Sequence, residues 1–249
     1  MLLSTVLCIL GNNLLVAQDA ISSARMTLLA RDWRLREVAF WKLRAVKSQE
    51  ARKELIDLLD RENNLTDEVY RSGGGVEDKY GEEYVSYKDD LTEVVKQNFT
   101  NFPDKGALKV LVHSAYNPDS IFAKWLSMQG PPLLPLTREM LGSDIYPDRE
   151  SAVAVVAHLL SNYSLKKVRL SKQQEEEAHQ QLWLAARNSD MWTRQVAVQY
   201  LAKVGTLSDV GVLKNVSEQD PGFDQRSSTY PVRDAARKAL EEVRARSQK

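Results

Sequence analysis

Three histidines and one cysteine are the residues of this 249-residue chain whose types most often catalyse reactions or bind metals. His113, His158 and His179 form no His-Glu-x-x-His motif, and Cys8 has no second cysteine for a disulfide, a redox pair or a cysteine-cluster metal site. Gly73-Gly74-Gly75 lacks the Lys-Ser or Lys-Thr that follows a phosphate-binding loop, and no Gly-x-Ser-x-Gly elbow occurs. The sequence therefore predicts no catalytic residue, no metal site and no cofactor.

An acidic, tyrosine-containing segment, residues 67–90, is the main candidate for binding a partner. It holds eight acidic and three basic residues around the three consecutive glycines. Tyrosines among flexible polar residues suit recognition of another protein, so the candidate partner-binding residues are Tyr70, Tyr80, Tyr84 and Tyr87. Two interpretations remain open: a solvated loop and a lid that contacts a partner. The acids lack the spacing of a calcium-binding loop.

The same tyrosines allow a different interpretation. Tyr84, Tyr87, Leu91 and Val94 follow helical spacing, so a helix expected over 90–101 has an alternative start near Glu82 that would place these tyrosines in the core. If residues 67–90 are an insertion, their removal leaves the fold intact. If the helix starts early, only residues 67–81 are dispensable.

Charge is balanced over the whole chain and segregated locally. The chain has 34 basic and 34 acidic residues and a pI near 6.9, which argues against a dedicated nucleic-acid-binding protein. Residues 25–53 hold nine bases and three acids, whereas residues 54–90 hold four bases and twelve acids. Either these are ordinary solvated helix faces, or the acidic segment folds against the basic helices or competes with a partner for them.

A recurring pattern, Arg-x-x-Ala-x-x-x-Leu, indicates internal repeats. It starts at Arg36, Arg194 and Arg233, and also at Arg149 with Val in the last place. These positions share one helical face, where Ala permits close helix approach and Leu fills a core. We therefore expect the four arginines to begin equivalent helices with buried alanines. An Asp four residues before Arg36 and before Arg194 is a good N-cap.

The spacing of the copies supports a helical repeat. Arg149 and Arg194 are 45 residues apart, and Arg194 and Arg233 are 39 apart. A degenerate copy at Lys105 lies 44 residues before Arg149 and 69 after Arg36. Removing the 24 residues of 67–90 reduces the longer step to 45. Helical-pair repeats have periods of about 40–47 residues.

In this register the sequence resembles HEAT repeats, whose second helix carries the pattern Asp-x-x-x-Arg-x-x-Ala-x-x-x-Leu. The resemblance implies an all-α fold, a right-handed, armadillo-like α-solenoid of about five stacked repeats over residues 18–249. It also implies a non-catalytic scaffold or adaptor whose concave face binds a protein or peptide. The alternative is an enzyme on a HEAT-like scaffold, an alkylated-base DNA glycosylase or a bilin lyase. Neutral charge argues against the glycosylase, and the lyase lacks a visible chromophore-handling cysteine.

The helix-breaking Gly and Pro residues, together with the helical spacing of apolar residues, predict twelve helices. Their expected ranges are 20–30, 35–46, 49–61, 90–101, 105–116, 119–129, 135–142, 148–161, 172–188, 193–204, 207–217 and 231–246.

Residues 1–17 are apolar and uncharged and end in Ala17, which predicts a cleaved signal peptide. Cleavage implies export to a periplasmic or extracellular location, and retention implies a cytoplasmic protein. A buried first helix and a membrane anchor are the alternatives, but the run is too short and too interrupted for stable membrane insertion.

Overall fold

The computed structural model describes residues 18–19, 21–101, 103–115 and 121–248. Within those ranges the chain is helical and has no strand, apart from an isolated antiparallel bridge between Asp224 and Thr229. The prediction of an all-α fold is confirmed. The prediction of a signal peptide at 1–17 lies outside the described residues. No helix in the described ranges has the length and apolar character needed to cross a bilayer.

The chain divides into two compact units, one ending at Leu111 and the other beginning at Val112. The helices that begin in the first unit are α1 (residues 21–28), α2 (Trp33–Arg44), α3 (Gln49–Arg71), α4 (Val76–Tyr80), α5 (Glu82–Asn101) and α6 (Lys105–His113). Those of the second are α7 (Ile121–Ser127), α8 (Leu133–Leu141), α9 (Tyr146–Ser164), α10 (Lys172–Ala185), α11 (Met191–Val204), α12 (Val210–Gln219) and α13 (Pro231–Ser247). A 3₁₀ turn, Leu207–Asp209, precedes α12.

Capping residues set several helix starts. The Asp32 carboxylate accepts the Arg34 N–H before α2, and the Ser48 hydroxyl accepts the Ala51 N–H before α3. Asp190 accepts the Thr193 N–H before α11. Each cap satisfies a backbone donor that the first turn of a helix leaves unpaired.

Helices α2, α3 and α5 pack together in the first unit. Their inward faces bury aromatic and aliphatic side chains, among them Trp33, Phe40, Leu55, Leu59 and Leu91. In the second unit α9 packs against α7, α8, α10 and α11, and residues 151–157 of α9 are all buried. A helix that is buried on all sides needs apolar residues around its whole circumference, as α9 has.

Residues 67–90 are not a continuous loop, which corrects that interpretation, and the alternative helix start near Glu82 is confirmed. Helix α3 continues to Arg71, and α5 already begins at Glu82. Val69, Tyr84 and Tyr87 are buried, because the ends of both helices carry core-facing side chains. Only the glycine turn and the short α4 join the two helices, and Gly73 and Gly81 have positive φ angles of 75° and 85°.

The repeat pattern coincides with helix starts. Arg36, Arg149 and Arg194 are the fourth residues of their helices, and Arg233 is the third of its own. The four alanines three residues later have no solvent exposure: Ala39, Ala152, Ala197 and Ala236. The prediction that these alanines are buried is confirmed.

Candidate functional site

Tyr84 and Tyr87 surround a buried carboxylate. The Tyr84 hydroxyl donates to Glu62 Oε2 at 3.0 Å, and the Tyr87 hydroxyl donates to Glu62 Oε1 at 3.1 Å. Trp33 packs against both rings, with centroids 5.7 and 5.9 Å away. The prediction that these two tyrosines contact a partner is therefore corrected. They are core residues, because α5 starts early enough to turn them inward.

Tyr70 and Tyr80 are each half-buried. Burial and the nearby Asp67 carboxylate raise the pKa of Tyr70. The Tyr80 ring lies 4.7 Å from the Tyr84 ring, and Lys79 lies over its face. For these two residues, partner contact stays a prediction.

Arg36 completes the buried cluster around Glu62. Its Nε and Nη2 atoms donate to the two carboxylate oxygens at 2.5 and 2.8 Å. Its Nη1 donates to the Ala30 and Arg31 carbonyl oxygens, both at 2.9 Å. Burial disfavours the charged guanidinium, but Glu62 outweighs that effect and raises the pKa of Arg36. This arrangement holds helices together.

The histidines lie on separate helices. His179 Nδ1 donates to Asp209 Oδ1 at 3.1 Å, and the same oxygen accepts the Trp183 indole N–H at 2.5 Å. Burial alone would raise the pKa of Asp209, but the hydrogen bonds from His179 and the Thr206 N–H lower it. His158 packs edge-on against Tyr200. His113 Nδ1 lies 3.8 Å from Asp148 Oδ1.

A groove in the first unit is a candidate binding site. It lies along the first half of α3, the last turns of α5 and the start of α6, with a volume of about 970 Å³. Its apolar floor is formed by Ile56, Val95, Phe99 and Ala107. Its polar rim includes Lys53, Glu50, Asp57, Asn98 and Asp104. We call this surface the α3–α5 groove.

The polar rim carries both signs of charge. Lys53 is exposed, and Asp57 is exposed one turn later on the same helix. Glu50 accepts from the exposed Arg25 at 2.5 Å. Asp104 Oδ1 accepts the Ala107 N–H at 3.0 Å and so caps α6. An apolar floor with a mixed polar rim is typical of a surface that binds peptides.

No pattern in the sequence predicted this groove. Its two walls are about 40 residues apart in the chain, and each contributes only one helical stripe, at 49, 53 and 56 on α3 and at 95, 98 and 99 on α5. These stripes have the i, i+3, i+4 spacing of any amphipathic helix. No local sequence pattern distinguishes a helix face that borders a groove from a helix face that packs completely against its neighbour.

A second surface, the solvent side of α2, is also unusual. Leu35, Val38 and Trp41 are exposed by 50, 49 and 43%. Arg34, Lys42 and Arg44 are exposed on the same side. We call these six residues the α2 outer face.

The comparisons with known proteins identify no family. Neither protein-family models nor curated proteins match the chain. A crystal structure of an engineered protein is similar over 91% of this chain and 97% of that chain, with 16% identity and a TM-score of 0.39. Similarity at this level assigns neither family nor function.

Proposed function

We propose that this chain is a non-catalytic protein-binding module that holds a peptide segment of its partner in the α3–α5 groove. The groove itself carries the proposal. Its volume of about 970 Å³ is at the upper end of pockets that enclose drug-sized ligands, and it is partly open to solvent. A partner side chain on the floor formed by Ile56, Val95 and Phe99 would bury apolar surface, while the rim pairs with charges of either sign.

The mixed rim favours protein over nucleic acid as the partner. A groove that binds a phosphate backbone needs basic residues along its walls. Here the bases Arg52 and Lys53 lie between the acids Glu50 and Asp57 on a single helix. Complementary charges in a partner protein would fix the register of the bound segment.

We also propose that the helices form HEAT-like repeats stacked as a solenoid. The contacts of Arg36 and Arg194 support this proposal, since each pairs with a carboxylate 26 residues later. Export follows if residues 1–17 are removed. N-terminal sequencing of protein from its native host tests that step, and an intact Met1 contradicts it.

A photo-crosslinker at position 53 tests the proposed groove. We expect it to capture a partner peptide from host extract, whereas the same group at Lys214, exposed on α12, captures none. Asn98→Trp fills the groove and should abolish capture at position 53. Asn215→Trp, on exposed α12, is the matched control and should leave capture unchanged. Equal capture from both crosslinker positions, or capture that survives Asn98→Trp, contradicts the proposal.

A further inference from the structure

The α2 outer face places large apolar side chains where a packed helix normally presents polar ones. The inner side of α2 buries Trp33, Ala39, Phe40 and Leu43 and already supplies its core contacts. The outer side should then be polar. Instead Leu35, Val38 and Trp41 lie there at helical spacing, about half exposed.

Every exposed charged residue of α2 itself is positive. Arg34, Lys42 and Arg44 flank the apolar residues. The nearest acid of the helix, Glu37, is half-buried and accepts the Trp41 indole N–H at 3.3 Å. The Arg44 guanidinium lies 5.0 Å above the Trp41 ring. Arg34 also reaches Glu83 at 3.4 Å, but both side chains are highly exposed, at 62 and 78%, so solvent weakens that pair.

We propose that the α2 outer face binds the surface of a bilayer that contains anionic phospholipid. Leu35, Val38 and Trp41 enter the boundary between head groups and acyl chains, and the three cations pair with lipid phosphates. Interfacial membrane-binding helices likewise combine Lys and Arg with Trp and Leu, and their binding strength grows with buried apolar area and with attraction to anionic lipid. Each cation held near an anionic membrane strengthens binding about fivefold.

A second copy of the chain fits this face less well. The acidic part of the first unit, with Glu77, Asp78, Glu82 and Glu83 exposed, offers complementary charge. It exposes no large apolar residue to cover Leu35, Val38 and Trp41. Lipid supplies both the negative charge and the apolar phase in one surface.

Co-sedimentation of the full chain with vesicles tests the proposal. We expect binding to vesicles with about 30 mol% phosphatidylglycerol to be at least tenfold tighter than to pure phosphatidylcholine, and to weaken as NaCl rises from about 0.1 to 0.5 M. The triple variant Arg34→Gln, Lys42→Gln, Arg44→Gln should lose about a hundredfold in affinity. The double variant Leu35→Ser, Trp41→Ser should lose at least about tenfold.

Matched variants in the second unit control for general effects of charge and surface. Arg237→Gln with Lys238→Gln removes exposed cations from α13, and Trp192→Ser removes a tryptophan exposed by 53%. Both should bind like the unaltered chain. Circular dichroism must show that each variant keeps its helical content. If the apolar variant unfolds, the triple charge variant alone tests whether the α2 outer face binds the bilayer.

Three results would overturn the proposal. The first is equal binding to neutral and anionic vesicles. The second is binding that the triple charge variant leaves unchanged, which would assign it to residues 1–17 or to another surface. The third is that the chain binds no vesicles but forms a complex with an acidic protein or with a second copy, and that the triple charge variant abolishes this complex.

Discussion

Arg194 makes the same set of contacts as Arg36, which lies 158 residues earlier in the chain. Nε and Nη2 of Arg36 donate to Glu62, and the same atoms of Arg194 donate to Asp220. In both cases Nη1 donates to the carbonyl oxygens five and six residues earlier. The cores of the two units thus contain the same hydrogen-bonding arrangement around a buried arginine, and both arrangements start from the same sequence pattern.

Loss of either carboxylate should strongly destabilise the unit that contains it. Glu62→Gln and Asp220→Asn leave a buried guanidinium without its counter-charge, which costs about 3–5 kcal/mol. Urea unfolding followed by circular dichroism measures the change in the free energy of unfolding. Asp234→Asn, which breaks the exposed pair with Arg237, is the control and should cost less than about 1 kcal/mol. Losses of similar size at all three positions would show that burial does not govern these pairs.

Alkaline pH should destabilise the first unit through Tyr84 and Tyr87. Burial and the neighbouring Glu62 carboxylate raise the pKa of both phenols in the folded state. The unfolded chain releases these protons above about pH 10, so stability is full below that pH and falls above it by about 1.4 kcal/mol per pH unit for each tyrosine.

The double variant Tyr84→Phe, Tyr87→Phe removes this contribution. It should be less stable at neutral pH, because two hydrogen bonds to Glu62 are lost, yet its stability should fall less steeply above about pH 10. Denaturant unfolding at a series of pH values gives both slopes. Tyr80→Phe, at a half-buried position, is the control. Identical slopes in the double variant and the unaltered chain would contradict the expectation.

The connection between α3 and α5 should tolerate change only in its middle. Helix α4 buries none of its residues, so replacing residues 76–80 by Gly and Ser should cost about 1 kcal/mol or less. Deleting residues 67–90 removes Val69, Tyr84 and Tyr87 from the core and should unfold the first unit. Thermal unfolding of both variants distinguishes them, and a folded first unit in the long deletion would restore the insertion hypothesis.

Acid should weaken the second unit through Asp209. Its pKa lies below the ordinary value of 3.8 in the folded state, so the stability it supplies is present above that pH and is lost as pH falls towards the folded pKa. Asp209→Asn should lower stability at neutral pH and flatten its decline below about pH 4. Glu218→Gln, at an exposed position on α12, is the comparison and should change little.

The sequence predicted the helical fold and most helix positions correctly, because caps and breakers act locally. The expected range 193–204 agrees with α11 to within two residues, and 172–188 agrees with α10 to within three. The main errors fell between 61 and 90. There the glycines and charges suggested a loop, but tertiary contacts at Val69, Tyr84 and Tyr87 extend both helices.

The candidate site was less predictable than the fold. Tyrosines in an acidic segment have the composition of a binding surface. Only the hydrogen bonds from the Tyr84 and Tyr87 hydroxyls to Glu62 show that these two tyrosines belong to the core. The acid that they surround, Glu62, lies over 20 residues away from both in the chain. The α3–α5 groove forms where a face of α3 lies beside a face of α5. These faces are far apart in the chain, so no single segment of the sequence predicts the groove.

The paired arginines have a consequence for how the chain folds. Each guanidinium finds all its partners between six residues before it and 26 after it. Closing such short loops costs little entropy, and contacts of low sequence separation favour rapid folding. A guanidinium is also costly to bury before its carboxylate arrives. A compact state in which the arginine and its carboxylate are out of register therefore has a higher free energy, which favours the native alignment of these two segments over alternatives.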